Sequence, residues 1–163
     1  IDKILLLNPQ SINKLNQIPN KQTRLLKFLI DTPILGTLLY NIQTTKESFK
    51  KVFLEEYFEE SVNVKEEMLM SYVEASHLPD FNAKFSFASF TGRYMNANII
   101  HALKEIDHSI YILYGKSKKD IETVVDNYIY FNQSIEAFGI ENTKHLCHLE
   151  APSKVMEQIN ILL

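Results

Sequence analysis

The chain has 163 residues, 45% of them apolar and 23% charged, with a formal net charge of −3; this suits one compact domain with a real core and argues against disorder or a fibrous class. Lysines and acids are interspersed rather than blocked, which gives no electrostatic footprint for nucleic acid or anionic lipid. A single cysteine, Cys147, excludes an internal disulfide and a cysteine-only metal site, and no apolar run reaches the roughly 18 to 20 residues that a membrane-spanning helix requires.

The lone cysteine fits a reducing compartment, so a cytoplasmic location is expected, and the opening IDKILLLNPQ does not read as a signal peptide. Residues 4–7 form a short apolar run that Asn8-Pro9 stops, because proline disfavours helix at the residue before it and cannot donate to a sheet ladder. That pattern predicts a buried parallel strand. From about residue 21 to 94 the apolar residues recur at three- and four-residue spacing, which predicts a helical layer.

Within this layer, residues 23–30 supply one helix, and Asp31-Thr32-Pro33 ends it and begins another, whose stripe is Leu35, Leu38, Leu39 and Ile42. A third helix starts at Thr45, capped with Ser48 three positions on, and presents Phe49, Val52, Phe53 and Tyr57. A fourth spans about residues 64–77, with Met68, Leu69, Tyr72 and Val73 inward, and Leu78-Pro79-Asp80 stops it. The aromatic-rich FNAKFSFASFTGRYM follows, then a short helix over 97–106.

After Asp107 the period changes. SIYILYG predicts a buried strand over 110–114, residues 119–131 a helix, 134–140 another strand, and 153–163 a closing amphipathic helix. Strand, helix, strand, helix implies parallel strands joined by crossovers. The expected division is a core strand in residues 1–10, a helical cap in 11–95, and βα units of the core in 96–163. A helical excursion between parallel strands is how α/β enzymes place a lid over the carboxyl ends of the sheet, where ligands bind.

The segment IENTKHLCHLEAPSKVMEQINILL carries the most information: a histidine after a strand, then Glu-Ala-Pro, then an amphipathic helix. It resembles the histidine segment of the α/β-hydrolase family, in which the catalytic histidine lies in the loop after the last strand. On that resemblance His148 is the general base, with Leu149-Glu150-Ala151-Pro152 as its downstream tail and His145 as its competitor. Histidine suits the task because its pKa lies near neutrality, so it can take a proton from a serine hydroxyl and return it to a leaving group.

SIYILYGKSKKD resembles the strand and loop that deliver the acid of the family's triad. The usual aspartate position is Lys118 here, so the resemblance assigns the acid to Asp120, with Glu122 as a weaker substitute. Asp120 has a second reading, in which it only charges the first turn of the following helix. The helical block resembles the caps of bacterial members, and on that resemblance Phe85, Phe87, Phe90 and Tyr94 line an apolar substrate pocket. Their alternative role is as core residues of the cap.

A serine nucleophile in this family sits on a G-x-S-x-G elbow. None of Gly36, Gly92, Gly115 and Gly139 brackets a serine in that way, and ASFTG at 88–92 lacks the first glycine. With no initiator methionine at Ile1, the expectation is a truncated chain whose nucleophile, oxyanion hole and remaining strands lie upstream. His101, His108, His145 and His148 show no recognised ligand spacing, so no metal is expected, and no cofactor.

The fold class expected is therefore α/β: about three parallel strands, flanking helices and an inserted all-helical cap. The expected function is Ser-His-Asp type hydrolysis of a small ester or acyl substrate by the intact protein, this chain alone being inactive. The alternative is a non-catalytic helical interaction module with hydrolase-like ends, which Lys118 and the missing elbow favour. Association of two copies through a bare sheet edge is a further expectation.

Overall fold

A computed structural model of the protein describes residues 3–78 and 83–162. In chain order it contains β1 (Lys3–Leu7), α1 (Ile12–Leu15), α2 (Lys21–Asp31), α3 (Leu35–Gln43), α4 (Lys46–Val52), a π-helical turn (Phe53–Tyr57) and a 3-10 turn (Ser61–Asn63). Then come α5 (Glu66–Ser76), α6 (Ala83–Thr91), α7 (Ile100–Glu105), β2 (Ser109–Gly115), α8 (Ile121–Phe131), β3 (Ile135–Ile140), α9 (Cys147–Glu150) and α10 (Pro152–Leu162). Of the expected stop after α5, Pro79 and Asp80 lie outside the described residues, as do Phe81 and Asn82 of the aromatic stretch.

The chain divides into two units. One, the sheet unit, joins Ile1–Leu15, Phe53–Asn63 and Asn98–Leu163; the other, the helical unit, joins Asn16–Val52 and Val64–Ala97. The sheet is parallel with order β1-β2-β3, in a register that sets Leu5 beside Tyr111, Leu113 beside Phe138 and Gly115 beside Ile140. β2 reads as a continuous apolar run because both of its faces are covered. Ile110 and Ile112 enter a cluster with Ile121, Val125 and Tyr128 of α8, whereas Leu113 points the other way to Cys147, Val155 and Leu162.

The spacing of Phe49, Val52, Phe53 and Tyr57 predicts one helix, but α4 ends at Val52 and a π-helical turn takes over. The reason is a shift of phase. The amide of Phe58 donates to the carbonyl of Phe53, five residues back, at 2.8 Å, so these two side chains share one direction. Both are 1% exposed, with ring centroids 5.7 Å apart, and their segment packs within the sheet unit.

In the helical unit, α2 opens with a reciprocal cap: the Asn20 side chain accepts from the Thr23 amide and the Asn20 amide donates to Thr23 Oγ1, each at 3.0 Å. The cap expected at Thr45 also forms, with the Ser48 amide donating to Thr45 Oγ1 at 3.2 Å. Tyr40 of α3 ties the unit together, its hydroxyl donating to the Ser76 carbonyl at 2.8 Å and its ring meeting Phe87 edge-on at 5.8 Å. Among the described residues no single helix is long and apolar enough to cross a membrane.

Candidate active site

Three segments leave the carboxyl ends of the parallel strands together: Asn8 after β1, residues 116–120 after β2, and residues 141–146 after β3. Asn8 sits at their meeting point with φ of 43° and is 4% exposed. This left-handed conformation is one that asparagine tolerates better than most residues. Its amide nitrogen donates to the carbonyls of His145 at 2.7 Å and Lys144 at 3.2 Å, and approaches Cys147 Sγ at 3.3 Å. Its side-chain oxygen accepts from the Gly115 amide at 3.1 Å, and its own backbone amide donates to Leu113.

Other bonds fix the same loop. Glu150 accepts from the Lys144 amide at 2.7 Å with one carboxylate oxygen and from the Glu59 amide at 2.7 Å with the other. The Leu146 amide donates to the Tyr57 carbonyl at 3.1 Å, and the Ser117 amide to Thr143 at 3.0 Å. The loop also lies so close to β2 that a Cβ on Gly115 would stand 1.9 Å from the Lys144 carbonyl oxygen. Only glycine allows that approach.

A loop held by one buried amide is sensitive to its removal. Asn8→Ala leaves two carbonyls and one amide without their partner, and each orphaned buried group costs roughly 1–3 kcal/mol. Urea denaturation is expected to show a loss of about 3 kcal/mol or more for Asn8→Ala, and a loss at least as large for Gly115→Ala. A change under 1 kcal/mol, about the net value of a single exposed hydrogen bond, would contradict this account of the loop.

The residue that the loop presents is His145. Its ring lies against Tyr57, with centroids 5.4 Å apart, and its Nδ1 is 3.1 Å from Lys118 Nζ. Burial pushes the His145 pKa below the ordinary histidine value; the Lys118 charge and His148 push the same way, and Glu56 opposes them. Lys118 is lowered too, first by burial and then by repulsion from Lys14, again against Glu56. These influences favour the uncharged imidazole, whose tautomer depends on its lysine neighbour.

The pair that the sequence favours is arranged differently. His148 lies in α9, where its Nδ1 is buried with no hydrogen-bond partner among the described residues. Asp120 is the first residue before α8, with φ of 58° and no side-chain capping bond. No hydrogen bond or ion pair joins Asp120 to His148 or to His145. Glu122 is exposed in the first turn of α8.

Asn8, Tyr57 and the role of Glu150 escape sequence reasoning. Asn8 looks like a strand terminator, and Tyr57 like an inward residue of a cap helix. Cys147 is fully buried, and burial raises its thiol pKa, so it is core rather than a reactive thiol. Among the described residues no group of three or more His, Cys, Asp or Glu side chains is placed to hold a metal ion.

The aromatic residues expected to line a substrate pocket lie in the helical unit. Phe87 is half-buried against Tyr40, whereas Phe85, Phe90 and Tyr94 are 46%, 60% and 51% exposed. Lys84 Nζ stands 4.9 Å from the Phe85 ring centroid, and Lys27 Nζ 5.7 Å from that of Tyr94.

No protein-family model matches the sequence, and no curated protein matches it. Solved structures do resemble it. MenH from S. aureus has a TM-score of 0.60 at 14% identity, over 98% of this chain and 57% of its own. The Cif epoxide hydrolase from Acinetobacter nosocomialis has a TM-score of 0.70 at 14% identity, over 100% of this chain and 54% of its own. Est816, an N-acyl homoserine lactone degrading enzyme, has a TM-score of 0.60 at 18% identity, over 99% and 58%. The chain thus spans little more than half the length of these structures, and its parallel sheet with flanking helices is the C-terminal part of the α/β-hydrolase fold.

Proposed function

We propose that this chain is the histidine- and cap-bearing part of an enzyme that hydrolyses an ester or similar acyl bond in a small molecule, with a serine nucleophile on residues outside it. The observation that carries this reading is the His145 loop at the carboxyl ends of β2 and β3, where the Asn8 side chain donates to the His145 carbonyl, Glu150 accepts from the Lys144 amide and the ring meets Lys118. We assign the base to His145 in place of His148, because His145 faces the segment after β2 that delivers the triad acid in the family it resembles. A cytoplasmic setting fits the lone buried thiol.

In a serine triad, Nε2 of the histidine takes the serine proton while its Nδ1–H is held by a carboxylate. Here Nδ1 meets an amine. While Lys118 is an ammonium it can only donate, so Nδ1 accepts and Nε2 carries the ring proton. That state cannot take a proton from serine. Once Lys118 is neutral it can accept from Nδ1–H, and Nε2 becomes a free base. Burial of Lys118 favours this second state, so turnover is expected to rise with pH through a lysine pKa that lies below the ordinary value.

The exposed apolar faces of Phe85, Phe90 and Tyr94 suit an acyl or alkyl group of the substrate. The test is p-nitrophenyl ester hydrolysis by the chain together with a serine-bearing segment, with and without the His145 imidazole. The second reading is a non-catalytic interaction module, which the amine in the acid's place favours. Absence of turnover at every pH would select it.

A further inference from the structure

We propose that the outer edge of β3 and the adjoining face of α10 form an interface for a second copy of this chain, the two β3 strands pairing antiparallel across a two-fold axis. β3 pairs with β2 on one side only. The Lys116 amide donates to the Ile140 carbonyl at 3.1 Å, so Glu136, Phe138 and Ile140 turn their main-chain groups toward β2. Alternation then turns those of Ala137 and Gly139 outward, where no strand of the sheet meets them. Such a row of unpaired amides and carbonyls is a template for another strand.

A groove of about 670 Å³ runs along this edge, between Ala137, Gly139 and Glu141 on one side and Lys154, Glu157 and Gln158 of α10 on the other. On the helix, Lys154, Glu157, Gln158 and Ile161 fall on a single stripe, and Ile161 is 70% exposed. Lys154 and Glu157 are also exposed, and among the described residues neither has an ion-pair partner. The groove's charged residues, Lys116 and Lys154 against Glu141 and Glu157, cancel in sign.

That stripe complements itself, which a two-fold contact requires. An axis passing between the levels of Lys154 and Glu157 makes the two α10 helices antiparallel and sets each lysine against Glu157 of the partner subunit. The strands then supply main-chain bonds, and the exposed Ile161 side chains are drawn out of water. This goes beyond the proposed hydrolysis and does not depend on it, since association is read on the chain with no turnover.

Sedimentation equilibrium of the chain, followed up to about 1 mM, reads the dissociation constant of the pair. A monomer–dimer equilibrium is expected, weakened about tenfold or more by Ala137→Pro, which deletes an outward amide that the sheet itself does not use. Lys154→Glu, which sets like charges together, is expected to weaken it similarly, and adding Glu157→Lys to restore it within about threefold. These exposed charge variants leave the strand untouched, so they decide the matter if Ala137→Pro does not fold. A chain that stays monomeric throughout, an unchanged constant in either folded single variant, or no recovery in the double variant would overturn the proposal.

Discussion

His145→Ala is expected to reduce ester hydrolysis by about a thousandfold in the presence of the serine-bearing segment, the middle of the range for loss of a general base. If the base is His145, as proposed, His148→Ala is expected to leave the rate within about threefold, since a residue outside the reacting groups contributes through stability alone. The contrast follows from the two environments. The Asn8 side-chain amide donates to the His145 carbonyl, the next residue's amide, that of Leu146, donates to the Tyr57 carbonyl, and the His145 ring faces Lys118. His148, three residues on, lies in α9 with its Nδ1 buried and without a hydrogen-bond partner among the described residues. Equal losses from the two variants, or a large loss only for His148→Ala, would return the base to His148.

Lys118→Asp is the second large effect, and its direction is a gain. A carboxylate at this position accepts from Nδ1–H of His145, leaves Nε2 free to take a proton, and stabilises the imidazolium that forms. At neutral pH the rate is expected to rise by about tenfold or more, and the alkaline limb of the pH profile to disappear, because no lysine then has to lose its proton. The sign also follows from His145 itself. Its pKa is depressed largely by burial and by the Lys118 charge, and removing that charge lets the pKa rise toward the ordinary histidine value. A lower neutral-pH rate in Lys118→Asp, with the alkaline limb kept, would show that the amine takes part in turnover.

Much of the framework was legible in the residues. SIYILYG announces a strand buried on both faces by its unbroken apolar run, and β2 is the middle strand of the sheet. The Thr45–Ser48 cap and the closing helix also follow from local chemistry, which neighbouring residues decide. What escaped depends on contacts between distant segments. The π-helical turn at Phe53–Tyr57 preserves an apolar spacing that a regular helix also explains, so only packing reveals that Phe53 and Phe58 point together.

The site divides in the same way. The segment HLCHLEAP marks the histidine region, but spacing alone cannot choose between His145 and His148. The proposal of His145 rests on a loop path set by Asn8, 137 residues away in sequence, and by Glu150 reaching Glu59. Glu150 was visible as part of the motif, though not as the carboxylate that spans two segments. Lys118 was visible as the wrong charge in the acid's place; its contact with His145 was not.

The central claim is that Lys118 faces Nδ1 of His145 and sets the tautomer of its ring. Long-range ¹H–¹⁵N correlation NMR of the histidine side chains at neutral pH tests it directly. The account predicts a neutral His145 protonated at Nε2, with the Nδ1 resonance displaced by Lys118→Gln and the His148 ring unaffected. A ring protonated at Nδ1 that ignores the loss of Lys118 would contradict it.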